Sequence, residues 1–450
     1  MLCAEVMDLL DSTVSTVAAP TIAHRLGGGT TFMQWLAAAY TLAFALGLIT
    51  GGRLGDLYGR RRMYLLGAIG FTAASVACGL ALDPAMLIAS RVLQGAFGAV
   101  LIPQGLGLLK DMFPAADQPT AFGAIGPVMG LSAIGGPVLA GALLGGDPFG
   151  LGWRAIFLIN LPIGVAGIVG AVLFLPAVRP GRGRRLDPVG SLLVGAGLVA
   201  LLYPLIQGRE LGWPWWSVGL LGASATLLVV FAVHQVHRRG DPLVEPALFR
   251  SRTFTGGLVL GLLFFAAVMG LTLVFGLYLQ IGLGYPPLRA SLTLAPNAVG
   301  IAAGSVLGGR LATAYGRRGL HAGMAVIVAG LAVLAGLLGT IGTGLLWWQF
   351  APALVILGFG MGLVFAPLFT FVLGDVPAEY VGAGAGLLNA VQQVATATGT
   401  AGLGTLFFAL AGPHPDAAGW TAALRTTVPV TIVLVAAAFG LVFRLPRRAE

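Results

Sequence analysis

The chain has 450 residues, of which 57% are hydrophobic and 9% charged, with a net charge of +9 and a mean hydropathy of +0.94. A soluble domain carries roughly 25% charged residues, and a single soluble core stops growing beyond about 250–300 residues. A soluble globular fold is therefore excluded, and lipid is the expected solvent. The 70 glycines follow neither the strict period of collagen nor the polarity of disorder; they suit close helix approach in a membrane.

A bilayer-spanning helix needs about 20 mostly apolar residues. Fourteen such runs are predicted, near 2–22, 34–52, 63–82, 86–108, 121–144, 155–176, 188–207, 216–236, 254–280, 290–309, 321–341, 347–373, 382–411 and 427–444. The expected class is an all-α polytopic membrane protein. The chain starts Met1-Leu2-Cys3-Ala4-Glu5, almost inside the first run and without a basic leader. No cleavable signal peptide is expected, and a few further residues upstream are. Cys3 and Cys78 both lie in apolar runs, which argues against a disulfide framework and a zinc site.

The first run carries Glu5, Asp8 and Asp11. A spacing of three makes each a neighbour of the next on a helix surface. Glu5 is read as marking helix entry, Asp8 as either an entry charge or a functional one, and Asp11, the deepest, as functional. A carboxyl held in a low-dielectric bundle near a cation is a candidate for loading and releasing a proton. After the second run comes Asp56, just ahead of Gly59-Arg60-Arg61-Arg62. It is either a solvated loop charge or half of a charge-assisted lock.

Arg91 lies several residues inside the fourth run. A charge there costs about 2.5–3.5 kcal/mol on insertion scales unless it finds a partner or water. It either snorkels to the outer interface or pairs with a first-run acid. The apolar run continues on both sides, which favours pairing. In the fifth run Gly123, Ser132, Gly136, Pro137 and Gly141 mark a bent, closely packed helix. Further along, Asn297, Asn389, Gln392 and Gln393 are polar residues within runs ten and thirteen. The five histidines fall at helix ends or loops; His234 and His237 are three apart, with no carboxylate or thiolate nearby in sequence, so no metal site is expected. Trp213, Trp215, Trp216, Trp347 and Trp348 read as an interfacial aromatic belt. No nucleotide-binding loop is present, so neither ATP nor a cofactor is expected.

Orientation follows from the loops. With the N-terminus in the cytoplasm, inside loops hold Arg53, Arg60, Arg61, Arg62, Lys110, Arg179, Arg182, Arg184, Arg185, Arg238, Arg239, Arg250, Arg252, Arg310, Arg317, Arg318, Arg444, Arg447 and Arg448. Outside loops hold only Arg25, Arg154, Arg209, Arg289 and Arg425. The positive-inside rule thus places both termini in the cytoplasm, and an odd helix count would put the last cluster on the wrong side. It also explains the basic balance without nucleic acid.

The chain repeats itself. Gly51-Gly52-Arg53-Leu54-Gly55-Asp56-Leu57-Tyr58-Gly59-Arg60-Arg61 returns as Gly308-Gly309-Arg310-Leu311-Ala312-Thr313-Ala314-Tyr315-Gly316-Arg317-Arg318. The copies follow the second and tenth runs. That eight-helix offset implies two six-helix pseudo-repeat halves, residues 1–180 and 251–450, separated by 181–250 with two additional transmembrane helices. Duplicated halves are a transporter design with the substrate site near the midplane. Only the first copy keeps the acid, Asp56, and this favours a gating role there.

Taken together these residues resemble the major facilitator superfamily, and within it the fourteen-helix drug:proton antiporters of the EmrB/QacA type. The stretch from Gly52 to Arg61 is similar to the family's loop motif after helix two, and the resemblance implies a cytoplasmic gate at Gly52, Asp56, Gly59, Arg60 and Arg61. Arg91, Gln94 and Gly95 resemble the helix-four motif tied to proton coupling; Gly136-Pro137 with Gly141 resembles the helix-five antiporter motif. Leu10-Asp11-Ser12-Thr13-Val14-Ser15-Thr16-Val17-Ala18-Ala19-Pro20 and Trp153-Arg154-Ala155-Ile156-Phe157-Leu158-Ile159-Asn160-Leu161-Pro162-Ile163-Gly164 are similar to this branch in particular. Thr16, Ser132, Ala140 and Asp8 depart from its pattern, and no acid lies in runs ten or thirteen, which argues against dicationic substrates.

The resemblance implies a proton-coupled exporter of small hydrophobic or cationic compounds, working as a monomer by alternating access in the inner membrane. Asp11, Arg91 and Asp8 would couple protons; Asp11, Asn297, Asn389, Gln392 and Gln393 would meet substrate. The partners are then a small molecule, protons and lipid. Export of a producer's own antibiotic or siderophore is the alternative. A membrane-embedded enzyme lacks a catalytic cluster, and a sensor lacks a soluble domain.

Overall fold

The computed structural model describes residues 2–112, 125–147, 150–176, 186–238, 240–374, 376, 381–412 and 415–445. Every regular element among them is helical. The long helices are α1 (Leu2–Leu26), α2 (Thr30–Tyr58), α3 (Arg60–Gly79), α4 (Pro84–Met112), α5 (Ile125–Gly146), α6 in two pieces (Ala155–Leu158 and Asn160–Phe174), α7 (Pro188–Gln207), α8 (Trp215–His237), α9 (Arg252–Leu277), α10 (Pro287–Tyr315), α11 (Arg318–Thr340), α12 (Ala351–Gly374), α13 (Val381–Ala411) and α14 (Ala417–Val442). Twelve spans among the described residues are long and apolar enough to cross a membrane. Helix α1, with its three acids, falls outside that group, and α5 contributes only a shorter apolar piece, Gly135–Gly146. Leu173, Phe174, Leu192, Val306 and Val433 are exposed, as expected of side chains whose solvent is hydrocarbon.

The chain divides into two compact units, residues 1–244 and 245–450. The first contains α1–α8. Its α4 packs on α2 and α3, α1 on α5, and α7 on both α8 and α2. The second contains α9–α14, with α10 on α12, α9 on α13 and α14, and α11 on α12 and α14.

Glycine sets the closest of these seams. A Cβ at Gly51 would lie 2.1 Å from the Ala99 carbonyl oxygen, and one at Gly95 would lie 2.4 Å from that of Tyr40. The second unit repeats the device: a Cβ at Gly304 would lie 2.1 Å from the Phe359 oxygen and one at Gly362 2.2 Å from that of Ile301. Without side chains at these points, backbones approach and dispersion contacts replace the missing hydrophobic drive. The sixth run, expected as one helix, breaks at Ile159. Pro162 has no amide to bond the Leu158 carbonyl, which accounts for the interruption.

The repeated motif has a matching local geometry. Gly59 and Gly316 both adopt positive φ, 94° and 58°, which glycine tolerates at no steric cost. Each turns the chain sharply from one helix into the next, α2 into α3 and α10 into α11.

Candidate functional site: a buried ion-pair network

Five helices of the first unit each bring two residues three or four positions apart, hence on one helical face. These are Asp8 and Asp11 on α1, Leu36 and Tyr40 on α2, Ser75 and Cys78 on α3, Arg91 and Gln94 on α4, and Phe157 and Asn160 on α6. They converge on one cluster.

Arg91 and Asp11 form an ion pair through Nη1 and Oδ2. Arg91 is 1% exposed and Asp11 2%, so the guanidinium pairs within the protein rather than snorkelling. Arg91 also donates to Gln94 Oε1 at 2.8 Å and, through Nε, to the Leu36 carbonyl at 3.4 Å. The other carboxylate oxygen of Asp11 accepts from Gln94 Nε2 at 2.7 Å and from Asn160 Nδ2 at 3.2 Å. Asn160 Nδ2 donates as well to Ser75 Oγ at 3.0 Å, which donates to the Phe157 carbonyl at 2.9 Å. Cys78 Sγ donates to Gln94 Oε1 at 3.5 Å. The Arg91 guanidinium carbon lies 4.4 Å from the Tyr40 ring centre, a contact worth about 2 kcal/mol when desolvated. The Tyr40 hydroxyl donates to Asp8.

A buried ion pair is stable only when its remaining lone pairs and protons are satisfied, and here both Asp11 oxygens are. One atom is not: Asn160 Oδ1 is buried without a donor. The break in α6 puts Asn160 at the start of the second helical piece, where its side chain reaches Asp11. Gly95 lets α2 approach α4 closely enough for the Tyr40 ring to cover Arg91. Asp8 is half-buried and Glu5 likewise.

The sequence reasoning had singled out Asp8, Asp11 and Arg91, and the fold brings all three together. The sequence places Gln94 with Arg91 in the helix-four motif and Asn160 within the stretch from Trp153 to Gly164 without giving either a contact, and it assigns no site role to Ser75, Cys78 or Tyr40. Gln94 was signalled by its position one turn after Arg91, and Asn160 by being a lone amide in an apolar run. Nothing in the sequence pointed to Tyr40.

The remaining expected residues lie apart from this network. In α5, a Cβ at Gly136 would meet Thr13 Oγ1 at 2.2 Å, so this glycine sets the α1–α5 approach. Gly141 is buried and Pro137 half-buried. Gly123 lies outside the described residues. At the gate motif, Gly52 and Arg60 are half-buried, and the side chain of Asp56 lies outside the described part. Arg61 Nη2 donates to the Val172 carbonyl at 2.8 Å, near the end of α6. Its near-counterpart in the second copy, Arg317, donates to the Phe443 and Leu445 carbonyls at 2.9 and 2.7 Å, just past α14. A cation on the free carbonyls of a helix C-terminus satisfies acceptors the helix leaves open.

Helices α7 and α8 are tied to α2 at both ends. Glu210 accepts from the Thr31 amide at 3.3 Å, Gln207 accepts from Trp35 Nε1 at 3.2 Å, and Arg53 donates to the carbonyls of Asp241, Pro242 and Leu243. Asp187 N-caps α7 by accepting from the Gly190 amide at 2.9 Å. It also accepts from Gln235 Nε2 at 2.8 Å, pairs with Arg238 at 2.8 Å and lies 3.2 Å from His234. Burial alone would push the Asp187 carboxyl up, but Gln235, the Gly190 amide, His234 and Arg238 outweigh it and hold the group down at about 2. The carboxylate missing from the sequence around His234 is thus supplied by the fold. Among the described residues no group of three His, Cys, Asp or Glu could hold a metal.

In the second unit, Asn297 Nδ2 donates to the Leu354 carbonyl at 3.3 Å and approaches Met361 Sδ at 3.9 Å; its amide is engaged in the α10–α12 seam. Asn389, Gln392 and Gln393 are half-buried on one face of α13, and their amides have no partner among the described residues.

Several comparisons bear on this arrangement. The chain is 48% identical over 421 residues to a protein of Streptomyces coelicolor described as "Probable actinorhodin transporter", covering 93% of this chain and 73% of that one. It is 33% identical over 417 residues to the tetracenomycin C resistance and export protein of Streptomyces glaucescens, covering 91% and 75%. With the puromycin resistance protein pur8 of Streptomyces alboniger it shares 35% identity over 461 aligned positions, covering 98% and 90%. Among solved structures, a POT family transporter in complex with 5-aminolevulinic acid superimposes with a TM-score of 0.68 at 16% identity, covering 97% of this chain and 94% of the other; that likeness is one of fold. The Major Facilitator Superfamily matches residues 1–400. With an all-helical, multi-pass architecture and relatives named as transporters, the chain belongs to the major facilitator superfamily and is a membrane transporter rather than an enzyme.

Proposed function

We propose that the protein is a proton-coupled efflux transporter that exports small hydrophobic or cationic compounds by alternating access. The observation that carries the reading is the buried Asp11–Arg91 pair with its Gln94 and Asn160 bonds. A fully satisfied buried ion pair in a membrane helix bundle is costly unless it works, and a carboxylate opposite a guanidinium is a group whose protonation releases its partner. Asp11, Arg91 and Asp8 are the proposed coupling residues. Asp11, Asn297, Asn389, Gln392 and Gln393 are the proposed substrate contacts, and Gly52, Asp56, Gly59, Arg60 and Arg61 the proposed gate. Gly136, Pro137 and Gly141, with Gly123, form the bending helix.

The proposal includes fourteen spans, the twelve apolar ones together with α1 and α5, arranged as two six-helix halves with an inserted pair at 181–250. An even count keeps both basic termini in the cytoplasm of a cell whose inner membrane holds the monomeric transporter. Relatives described as an actinorhodin transporter, a tetracenomycin C export protein and a cephamycin export protein favour a second reading, export of a producer's own antibiotic.

Inverted membrane vesicles test the proposal. A proton gradient is imposed, and fluorescent lipophilic cations, neutral drugs and aromatic antibiotics are offered to wild type and to Asp11→Asn. Uptake that collapses with an uncoupler and in the variant is expected. Uptake indifferent to both would remove the proton from the mechanism. A response confined to the antibiotics would select the second reading.

A further inference from the structure

The buried network contains two carboxylates, Asp8 and Asp11, and one guanidinium, Arg91. Glu5 precedes Asp8 by one turn of α1 and is half-buried. The groups that face Asp8 are Glu5 and Asp11 from its own helix, Tyr40 from α2 and Arg91 from α4. Helices α5 and α6, which also pack on α1, carry no titratable residue along their helical spans. With both aspartates ionised the cluster holds one negative charge in excess. A low-dielectric interior disfavours an uncompensated charge, and a single proton balances it.

Hydrogen-bond geometry says which carboxyl has room for that proton. Asp11 Oδ1 already accepts two amide N–H groups and Oδ2 accepts Arg91. A proton on Asp11 would leave the Arg91 guanidinium without its counter-charge, and on Oδ1 it would displace an amide donor. Asp8 is different. Its recorded partner is the Tyr40 hydroxyl, which both donates and accepts. A protonated Asp8 reverses that bond and loses nothing. The network also leaves one acceptor open, since Asn160 Oδ1 is buried without a donor.

Resting on the proton-coupled reading above, we infer that Asp8 holds the exchangeable proton in this conformation, that Asp11 stays ionised against Arg91, and that Tyr40 is the positioning residue between them. When the Asp8 O–H bond breaks, the proton passes to water and the Tyr40 hydroxyl turns to donate to the new carboxylate. Negative charge then returns on the Tyr40 side of the guanidinium, whose carbon lies 4.4 Å from that ring. Arg91 is now shared between two anions, and its hold on Asp11 loosens. One aromatic residue thus carries the protonation state of the first carboxyl to the ion pair of the second.

Infrared difference spectroscopy on the purified protein in lipid tests this without any transport assay. Wild type is expected to show a protonated-carboxyl carbonyl band that disappears as pH is raised. Charge-conserving variants assign it. Asp8→Glu should move the band to the glutamic acid position, and Tyr40→Phe should shift it by removing its hydrogen bond. Asp11→Glu and Glu5→Gln should leave it where it is. Asp8→Asn should abolish it, because Asp11 and Arg91 then balance. A band that moves in Asp11→Glu or vanishes in Glu5→Gln overturns the assignment, and so does the absence of any pH-dependent carboxyl band. If the band behaves as expected while vesicle transport ignores the proton gradient, the proton site stands and the antiport reading falls.

Discussion

In the first unit α2 and α4 meet along Gly47, Gly51, Gly55 and Gly95; in the second, α10 and α12 meet along Gly300, Gly304, Gly358 and Gly362. Each seam ends in a positive-φ glycine followed by arginines, and in each unit one arginine reaches the carbonyls at the end of a later helix. Inside the helices the likeness stops. The first unit buries Asp11, Arg91, Gln94 and Asn160 in one bonded cluster. Helices α9–α14 contain no acidic residue at all, so the basic residues they carry, such as Arg289, His321 and Arg425, have no carboxylate on these helices to pair with. The two units share this packing, which any membrane helix pair needs, while carboxylates within the helices belong to the first unit alone.

The largest break in that comparison is Arg91→Ala. It strands Asp11 without its cation, and removing one partner of a buried pair costs about 3–5 kcal/mol. Proton-driven transport in vesicles should be abolished while the protein still reaches the membrane, as judged by its yield in the membrane fraction. Wild-type efflux from this variant would end the coupling role. No single substitution in α9–α14 should produce the same loss by removing a charge.

The shared packing predicts the opposite, an equal response from both units. A valine at Gly51 or at Gly304 would drive its Cβ to 2.1 Å from a carbonyl oxygen of the facing helix. Overpacking costs about 1–3 kcal/mol. Gly51→Val and Gly304→Val should therefore lower the thermal midpoint of the detergent-solubilised protein by similar amounts. A clear effect at Gly51 with none at Gly304 would break the equivalence of the two seams.

How much of this was legible beforehand follows from the kind of signal each residue leaves. Long apolar runs and arginine-rich loops are sums over many residues, so the helices were readable with their order. Asp11 and Arg91 were readable because a charge in an apolar run is expensive and needs a partner. Tyr40 looks like any aromatic in a membrane helix; only the α2–α4 approach at Gly95 sets it over Arg91. Asn297 failed to stand out as different from Asn389, since sequence does not tell an amide engaged by a neighbouring backbone from a free one. The break at Ile159 was hidden because Pro162 near a helix start is unremarkable, and His234 looked solitary because Asp187 comes from 47 residues away.

A smaller effect separates stability from transport within the first unit. Asp187 caps α7 and is held at about 2 by its donors, well below the ordinary aspartate value of about 3.9. A carboxyl depressed on folding contributes stability that is fully present above its unfolded value and is lost as pH falls toward the folded one. Thermal midpoints of wild type should thus decline between about pH 4 and 2 more steeply than those of Asp187→Asn. At neutral pH that variant should lose about 1 kcal/mol, the size of an N-cap effect. Parallel acid profiles would show that the cluster does not contribute.

The smallest effect expected lies in the second unit and concerns recognition alone. Asn389, Gln392 and Gln393 project from one face of α13 with no partner among the described residues. A bare amide against lipid is unfavourable, so this face is expected to meet water or substrate. A neutral hydrogen bond contributes about 0.5–1.5 kcal/mol, which is roughly a 2–10-fold change in apparent affinity. Gln392→Leu and Gln393→Leu should each raise the KM for a hydroxyl- or carbonyl-rich substrate by that much. Their proton dependence should match wild type, because no ionisable group has been touched. If either variant shifted the pH profile of transport instead, the division of labour between a titrating first unit and a hydrogen-bonding second unit would be wrong. If neither moved KM for any substrate, α13 would turn this face to something other than cargo.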